Sequence, residues 1–446
     1  MHLIKSRFRG RVDSPIEKIG LGKILRSLIS APRAKGLRTA YERPPGAERR
    51  VAYMHIPFCS TRCPYCPFHV GLAGALREPF VEATVKLIES LGDKPFVAGR
   101  PFDVYYFGGG SPTSLLSKQL QRLLKVLMEK FPPSPGHEFT VESTIGDLDA
   151  EKLAMLKDHG VTRISVGVQS FDAQVRRSVG RASGQEAVFR ALEMLQKSGL
   201  RTAVDLMYGI PGQTLESTTK DVETACKLGM DNISHFRLKL FVNTAFYKGM
   251  KDGTFAAQDA MDHMREMQRS GIRTAKTMGY NHWHVTDYGK TPEELCKYTE
   301  VVRGPRDMVP LGAGACGFRE LYKFRTETNL KTYVKKCHAG DFPKFGILKD
   351  SMERYYIRKV RGQLEVGQLD LAKMGKLFDI DSPAIHKQQI DDMVESGWLT
   401  LDGTRVRFTE EGFLHADAVR ENLTIPKGTI KVKFDDYARK WEELEG

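Results

Sequence analysis

From Val51 onward, short apolar runs that end in turns alternate with longer segments whose apolar residues recur at helical spacing. Asp103–Phe107 predicts a strand before the turn Gly108-Gly109-Gly110-Ser111-Pro112-Thr113. Leu116, Leu120, Leu123, Leu124 and Leu127 then mark one face of a helix. Phe139–Glu142 precedes a helical pattern around Leu153 and Leu156, and Ile164–Val168 precedes another that begins at Val175. Ala203–Tyr208 ends at the breaker Gly209-Ile210-Pro211-Gly212, before a helix over 215–228. Ile233–Phe241 predicts a further strand, followed by a long helix from Gln258 to Met278. Strands alternating with helices predict an α/β fold with a parallel sheet and crossover helices. About six such units predict a full or partial (β/α) barrel, whose chemistry gathers where strands end and loops begin.

The rhythm differs at both ends. Residues 1–48 read as a basic N-terminal extension, with Gly20–Ile29 as an amphipathic helix beside Lys23 and Arg26. The pattern changes again after Gly340. Residues 364–424 predict short amphipathic helices and then two short strands around an Asp402-Gly403 turn, a helical, winged-helix-like unit. The expected division is therefore 1–48 extension, 49–335 barrel and substrate-side segment, 345–425 C-terminal domain and 426–446 tail.

Composition narrows the class. No stretch offers the run of about twenty apolar residues that would span a bilayer, and the basic opening MHLIKSRFRGR lacks the apolar core of a secretory signal. The expectation is a soluble, cytoplasmic protein. Net charge is +13, from 68 basic and 55 acidic residues. That excess favours anionic partners, although much of it falls in residues 1–50. No clustered base-reading motif accompanies it, so nucleic acid is a disfavoured partner. Seven cysteines are too few and too unevenly spread for a disulfide framework in 446 residues.

Three of the seven, Cys59, Cys63 and Cys66, fall within eight residues of one another. Soft thiolates at this spacing select an iron–sulfur cluster or zinc. Zinc would need a fourth ligand, and His69 is the only close candidate because position 68 is Phe68. Three cysteines holding a cubane leave one iron without a protein ligand.

With Tyr53-Met54-His55-Ile56-Pro57-Phe58 in front of it, this C-x3-C-x2-C segment resembles the radical S-adenosylmethionine (SAM) superfamily, in its branch related to oxygen-independent coproporphyrinogen oxidase. The resemblance implies a partial (β/α)6 barrel, a [4Fe–4S] cluster on the three cysteines, and SAM chelating the open iron. Cleavage of SAM then gives methionine and a 5′-deoxyadenosyl radical. It further implies cofactor contacts from Tyr53, Tyr65, the glycine motif Gly109-Gly110-Ser111, Glu142, Gln169, Arg181 and Asp205. Glycines suit a backbone that must approach a ligand closely, and an arginine can meet the SAM carboxylate bidentately.

Within the branch, Phe68 stands where the decarboxylating oxidases usually carry a further cysteine, which disfavours coproporphyrinogen III oxidation. Cys63-Pro64-Tyr65-Cys66-Pro67-Phe68 matches the haem chaperones, but their H-N-x-x-Y-W stretch is missing. Segments 171–181, 281–295 and 309–317 look most like the class C radical SAM methyltransferases, a group that includes an anaerobic haem-degrading member. That resemblance implies two SAM molecules, haem or another porphyrin as substrate, a flavodoxin- or ferredoxin-type electron donor, and C-methylation with opening of the macrocycle and release of iron. A haem chaperone, a methyltransferase or cyclopropanase acting on a natural product, and coproporphyrinogen III oxidase are the alternatives.

Substrate-side expectations rest on fewer residues. Gly312 and Gly314 form a turn where backbone can approach the second SAM. Arg237 and Lys239 can meet propionates. His282 and His284 alternate on an expected strand and so face opposite ways; either serves as an iron ligand or a hydrogen-bonded structural histidine. Tyr280, Trp283 and Tyr288 offer a flat wall or core packing, and Cys316 a quenching or an inert thiol.

Overall fold

Six buried strands run side by side in sequence order, each held parallel to the last. They are β1 (Arg50–Ile56), β2 (Phe102–Gly109), β3 (Pro133–Ser143), β4 (Arg163–Gln169), β5 (Arg201–Tyr208) and β6 (Asn232–Arg237). The computed structural model describes residues 16–17, 41–46, 48–68, 71, 74–254, 260–302, 307–340 and 346–445. The helix expected over Gly20–Ile29 and nearly all of the 1–48 extension lie outside these residues.

Alternation along each strand sorts two cores. Ala52, Met54 and Ile56 of β1, Tyr105 and Phe107 of β2, and Val141 of β3 point outward and pack under the crossover helices α1 (Arg77–Gly92) and α2 (Ser117–Lys130) in the main hydrophobic cluster. Val51, Tyr53, Val104 and Met308 gather separately, on the inner side of the curved sheet. Parallel strands covered on one side by helices and closed inward by side chains give a partial barrel.

The barrel is wider than the sequence pattern indicated. After β6 come two short antiparallel strands, β7 (Asn281–His282) and β8 (Asp287–Gly289), with β8 paired to β6. A seventh parallel strand, β9 (Asp307–Leu311), then adds to the far side of β1, with Met308 opposite Val51. Three antiparallel strands extend that edge: β10 (Cys316–Arg319), β11 (Tyr322–Arg325) and β12 (Gly346–Lys349). The strand expected over Ile233–Phe241 breaks after Arg237. Leu240–Phe241 pairs instead with Ile16–Glu17, so Lys239 lies beyond the barrel strand.

A tight plug fills the floor. Arg163 of β4 and Glu138 of β3 form a buried ion pair at 3.2 Å. Above it the backbone N–H of Lys297 donates to Glu138, while Arg163 donates to the Leu295 carbonyl. Tyr298, from the short helix Lys297–Val302, stacks on Tyr106 at 3.9 Å and on Tyr53 at 5.7 Å.

The C-terminal part has a core of its own, built around Tyr355, Tyr356, Leu377, Phe378, Val406 and Trp398. Helices flank a three-stranded antiparallel sheet in which Leu399–Asp402 and Arg405–Phe408 form the hairpin read from the Asp402-Gly403 turn. This is the helical, winged arrangement expected. Among the described residues no helix is long and apolar enough to cross a membrane.

Candidate active site at the barrel mouth

Every loop that carries a motif residue leaves the same end of the barrel. Cys59, Cys63 and Cys66 sit on the loop after β1, half-buried and unpaired by any disulfide. The glycine motif after β2 locks onto this loop: Gly110 N–H donates to the Ile56 carbonyl and Ser111 N–H to the Phe58 carbonyl. A side chain at position 110 would strike the Phe58 carbonyl and come within 3.0 Å of Cys59 Sγ. Gly110 is therefore required by the cluster loop's own backbone. Asp147 adds a second tie, accepting from Ser60 at 2.7 Å, Ser111 at 2.6 Å and Thr144 at 2.8 Å. The Ser111 hydroxyl is thus engaged in the scaffold.

Burial raises the Cys59 thiol to about 12 and pushes Cys66 upward as well, with the neighbouring thiols adding to the effect and Arg181 opposing it. Among the described residues no three His, Cys, Asp or Glu side chains converge on a point that would hold a single ion, and His69 lies outside them. Three thiols on one loop fit a cubane, where each cysteine takes a different iron.

Arg181 follows helix Ala173–Ser178 and reaches back over the cysteine loop. It faces Tyr65, Cys63 and Cys59, and its buried Nε has no hydrogen-bond partner. An orphaned guanidinium nitrogen beside the thiols fits an anionic ligand at this place. Gln169 ends β4 with φ of +72°, the left-handed region, where the ladder to β5 slips by a residue. That twist folds its amide over Gly167, next to Arg181; a Cβ on Gly167 would meet Gln169 Nε2 at 2.7 Å and Arg181 Nη2 at 3.1 Å.

Two inward carboxylates complete the ring. Glu142 accepts from Tyr106 Oη at 2.6 Å and from Gly109 N–H at 3.1 Å. Burial raises its pKa to about 7, with the Tyr106 and Gly109 bonds opposing and Asp205 adding to the rise. Asp205 on β5 accepts from Ser165 at 3.2 Å; burial and then Asp287 raise it to about 6.

Sequence reasoning passed over His55. Tyr53 Oη lies 3.0 Å from His55 Nδ1. Gly109, Gly312 and Gly314 all close around this histidine, and a Cβ on Gly312 would strike the His55 carbonyl. Burial, then Arg325, lowers its pKa to about 4, so it stays neutral. The turn Gly312–Gly314 therefore packs on β1. Tyr53 itself belongs to the aromatic plug stack.

The other substrate-side residues separate. His282 is enclosed outside the barrel, its ring 4.1 Å from that of Phe413 and its Nε2 3.2 Å from the Val285 carbonyl. His284 lies at the floor between Asp287 and Glu300, each at 3.7 Å. Burial opposes its charge, but those two carboxylates outweigh burial and raise it to about 9. Tyr280 donates to the Met230 carbonyl and Trp283 to the Gly289 carbonyl, so both serve packing, as does Tyr288 against His235. Cys316 is half-buried beside Tyr53 and Tyr298.

Beyond the cysteine loop a cavity of about 1480 Å³ opens between the barrel and the C-terminal domain. One wall is Tyr65, Pro67 and Phe68 of the cysteine loop, and another is Arg265 and Arg269 of helix α3 (Met261–Thr277). Trp398, Phe413 and His415 close the far side. Arg237 and Lys239 line it but face Asp417, at 3.2 and 3.8 Å. No local motif announces this chamber; two distant parts of the chain build it.

A family model for the radical SAM superfamily matches residues 53–225, the span of every cluster-loop and SAM-side residue above. Over these residues the chain is similar to the radical SAM superfamily. The anaerobilin synthase of Escherichia coli O157:H7 is 28% identical over 419 residues, 93% of this chain and 90% of that protein. The heme chaperone HemW of Lactococcus lactis is also 28% identical, over 84% of this chain and 97% of its own length. Among solved structures, the coproporphyrinogen III oxidase HemN of Escherichia coli superposes with a TM-score of 0.77 at 22% identity, covering 88% of this chain and 93% of that one. The fold is thus HemN-like. The match to the superfamily model is what points to a [4Fe–4S] cluster and SAM, and the relatives' own names refer to heme and anaerobilin.

Proposed function

We propose that this protein is a radical SAM C-methyltransferase that methylates the haem macrocycle and opens it, releasing iron. The cavity carries the reading. At about 1480 Å³ it exceeds the roughly 300–1,000 Å³ usual for one small ligand, and it starts at the cysteine loop itself. A porphyrin seated there would lie beside the place where SAM is cleaved, and the volume leaves room for the second SAM that donates the carbon. Similarity to anaerobilin synthase along nearly the whole of both chains supports the same choice.

In this reading Cys59, Cys63 and Cys66 would hold the cluster, which would supply the electron for reductive cleavage of SAM. A flavodoxin- or ferredoxin-type carrier delivers that electron. Arg181 pairs with the SAM carboxylate, Glu142 receives its ammonium and Asp205 its ribose hydroxyls. Gln169, held by its left-handed backbone, fills the space between Gly167 and Arg181 and steadies the guanidinium. Phe68 and Tyr65 bring the cluster loop to the edge of the cavity.

A second reading, a haem chaperone that carries haem unchanged, is favoured by the equal identity to HemW. One experiment separates the two. Reconstituted protein is incubated anaerobically with SAM, a reductant and haem, and the products are analysed by mass spectrometry. A methylated, iron-free open tetrapyrrole, formed with 5′-deoxyadenosine and S-adenosylhomocysteine, supports the methyltransferase. Haem returned intact with little SAM consumed overturns it in favour of the chaperone.

A further inference from the structure

Arg325 is the last residue of β11, and strand alternation sets the way it points. Tyr322 and Phe324 pack into the main outward core, so Lys323 and Arg325 take the opposite, inner face. Lys323 agrees: its Nζ lies 5.6 Å over the ring of Phe318, which packs with Val51, Tyr53 and Met308 in the inner cluster. Directly across the ladder from Arg325 is Cys316, which starts β10 beside Tyr53 and Tyr298. Arg325 is also close enough to His55 for its charge to act on that ring.

Among the described residues the Arg325 guanidinium meets no acceptor, and its Nε is closed off from solvent without a partner. Its neighbours differ. Arg319 donates to the carbonyls of Arg43 and Pro44, and Arg358 pairs with Asp350 at 2.6 Å. Glu327, two residues further on, is taken by Lys336 at 2.8 Å. Enclosed guanidinium nitrogens are normally satisfied, and the planar fork of an arginine fits a carboxylate. His55 adds a second donor. Tyr53 Oη holds its Nδ1 at 3.0 Å, and a neutral ring that accepts there carries its proton on Nε2. The Cδ2–Nε2 edge faces Gly314, where a Cβ would come within 3.6 and 3.7 Å, so the glycine leaves that edge uncovered. Phe68, its ring 6.0 Å from that of His55, also lines the large cavity, and the two places adjoin across it.

The chemistry of the place narrows the ligand. An amino-acid head such as that of SAM brings an ammonium beside its carboxylate and needs an acceptor for it. Arg325, Lys323 and His55 offer donors, and the carboxylate of Glu327 is engaged. A carboxylate on an alkyl arm, with no ammonium next to it, is the better match. We propose that Arg325, with the Nε2 edge of His55 beside it, anchors a carboxylate arm of the substrate at the barrel mouth. The proposal rests on the porphyrin reading above, whose propionates are such arms, and adds the residue that holds one of them. Arg237 and Lys239, the cations expected in that role, face Asp417 instead.

The test uses the full-length protein, titrated in parallel with ferric haem and with its dimethyl ester, in which both propionates are capped. Binding is followed by difference absorbance, and SAM affinity is measured separately. The wild type binds haem more tightly than the ester. In Arg325→Ala, haem affinity falls on the order of 10- to 100-fold, the range of a charged hydrogen bond, and the preference over the ester disappears. The ester binds this variant as it binds the wild type, which also shows that the variant is folded, and SAM affinity is unchanged. Arg325→Lys recovers part of the preference. An Arg325→Ala protein that still prefers haem over the ester overturns the anchor and leaves the porphyrin reading standing. Weakened SAM binding with the preference intact assigns the guanidinium to an amino-acid carboxylate and overturns it equally. Wild-type protein that binds neither ring overturns both readings.

Discussion

Glu138 and Arg163 face each other at 3.2 Å beneath the barrel, both closed off from solvent. Each is also used by the backbone of the plug, through Lys297 N–H and the Leu295 carbonyl. Removing one partner strands a buried charge, which costs roughly 3–5 kcal/mol. Glu138→Ala is expected to lose about that much stability in anaerobic denaturant unfolding, with the iron–sulfur absorbance of its folded fraction unchanged. Stability within 1 kcal/mol of wild type would show that the pair is screened or replaced by water.

Cys63 and Arg181 are neighbours with separable roles. Cys63→Ala is expected to abolish SAM cleavage and most iron binding. Arg181→Ala should keep its iron and its cluster spectrum while SAM affinity drops on the order of 10- to 100-fold, the range of one charged hydrogen bond or more. Full cluster occupancy in Cys63→Ala removes the cluster assignment. Unchanged SAM affinity in Arg181→Ala removes the carboxylate contact.

With Glu142 receiving the SAM ammonium as proposed, its raised pKa gives SAM binding a pH signature. An ammonium is held by the ionised carboxyl, and Glu142 reaches half-ionisation only at about 7. SAM affinity should therefore climb between pH 6 and 7.5, below the range of roughly 7.7–8.0 in which α-amino groups titrate. Glu142→Gln should bind more weakly and show a flat profile over that window. A Gln variant that keeps the slope assigns the titration elsewhere.

Asp221 affects stability through the fold rather than the site. It is buried under the turn after β4, accepting from Phe171 N–H at 2.6 Å and from Gln213 at 3.4 Å. Burial raises its folded pKa from 3.8 to about 7, against the hydrogen bonds that favour its charge. An acid raised on folding binds more protons in the native state, so its contribution is complete below the unfolded value and is lost as pH climbs from about 4 to 7. Asp221→Asn should remove that decline, flattening stability by up to roughly a few kcal/mol across the window. The same slope in the variant as in the wild type would place the titration on another group.

Local signals in the chain announced the strand–helix rhythm and the cysteine loop because each lies within a few residues. The spacing of Cys59, Cys63 and Cys66, the Gly108–Thr113 turn and the Asp402-Gly403 hairpin all belong to this kind. What escaped depends on pairing across the chain. Asp307–Leu311 reads as a turn-bound run with a proline, and only its place beside β1, some 250 residues earlier, makes it a strand. His284 follows β7, where hydrogen bonds between His284 and Asp287 turn the chain, so strand alternation stops applying before it reaches that residue. Gly312 looked like a place for a ligand, but the close approach it allows is to His55. Trp398 and His415 show nothing in their own neighbourhoods that marks them as walls of a chamber.

The stopper of Tyr53, Tyr106 and Tyr298 has a consequence for traffic. Stacked rings and a buried ion pair close the floor of the barrel, leaving its strand-end mouth as the way in. In the proposed reaction, reactants and spent fragments would share the doorway at the strand ends, so whatever entered last would block the way out for what entered first. Under that reading a bulky ring seated in the cavity would hold the small cleaved pieces behind it until it left, and departure of the large product would set the pace at which the barrel empties for another round.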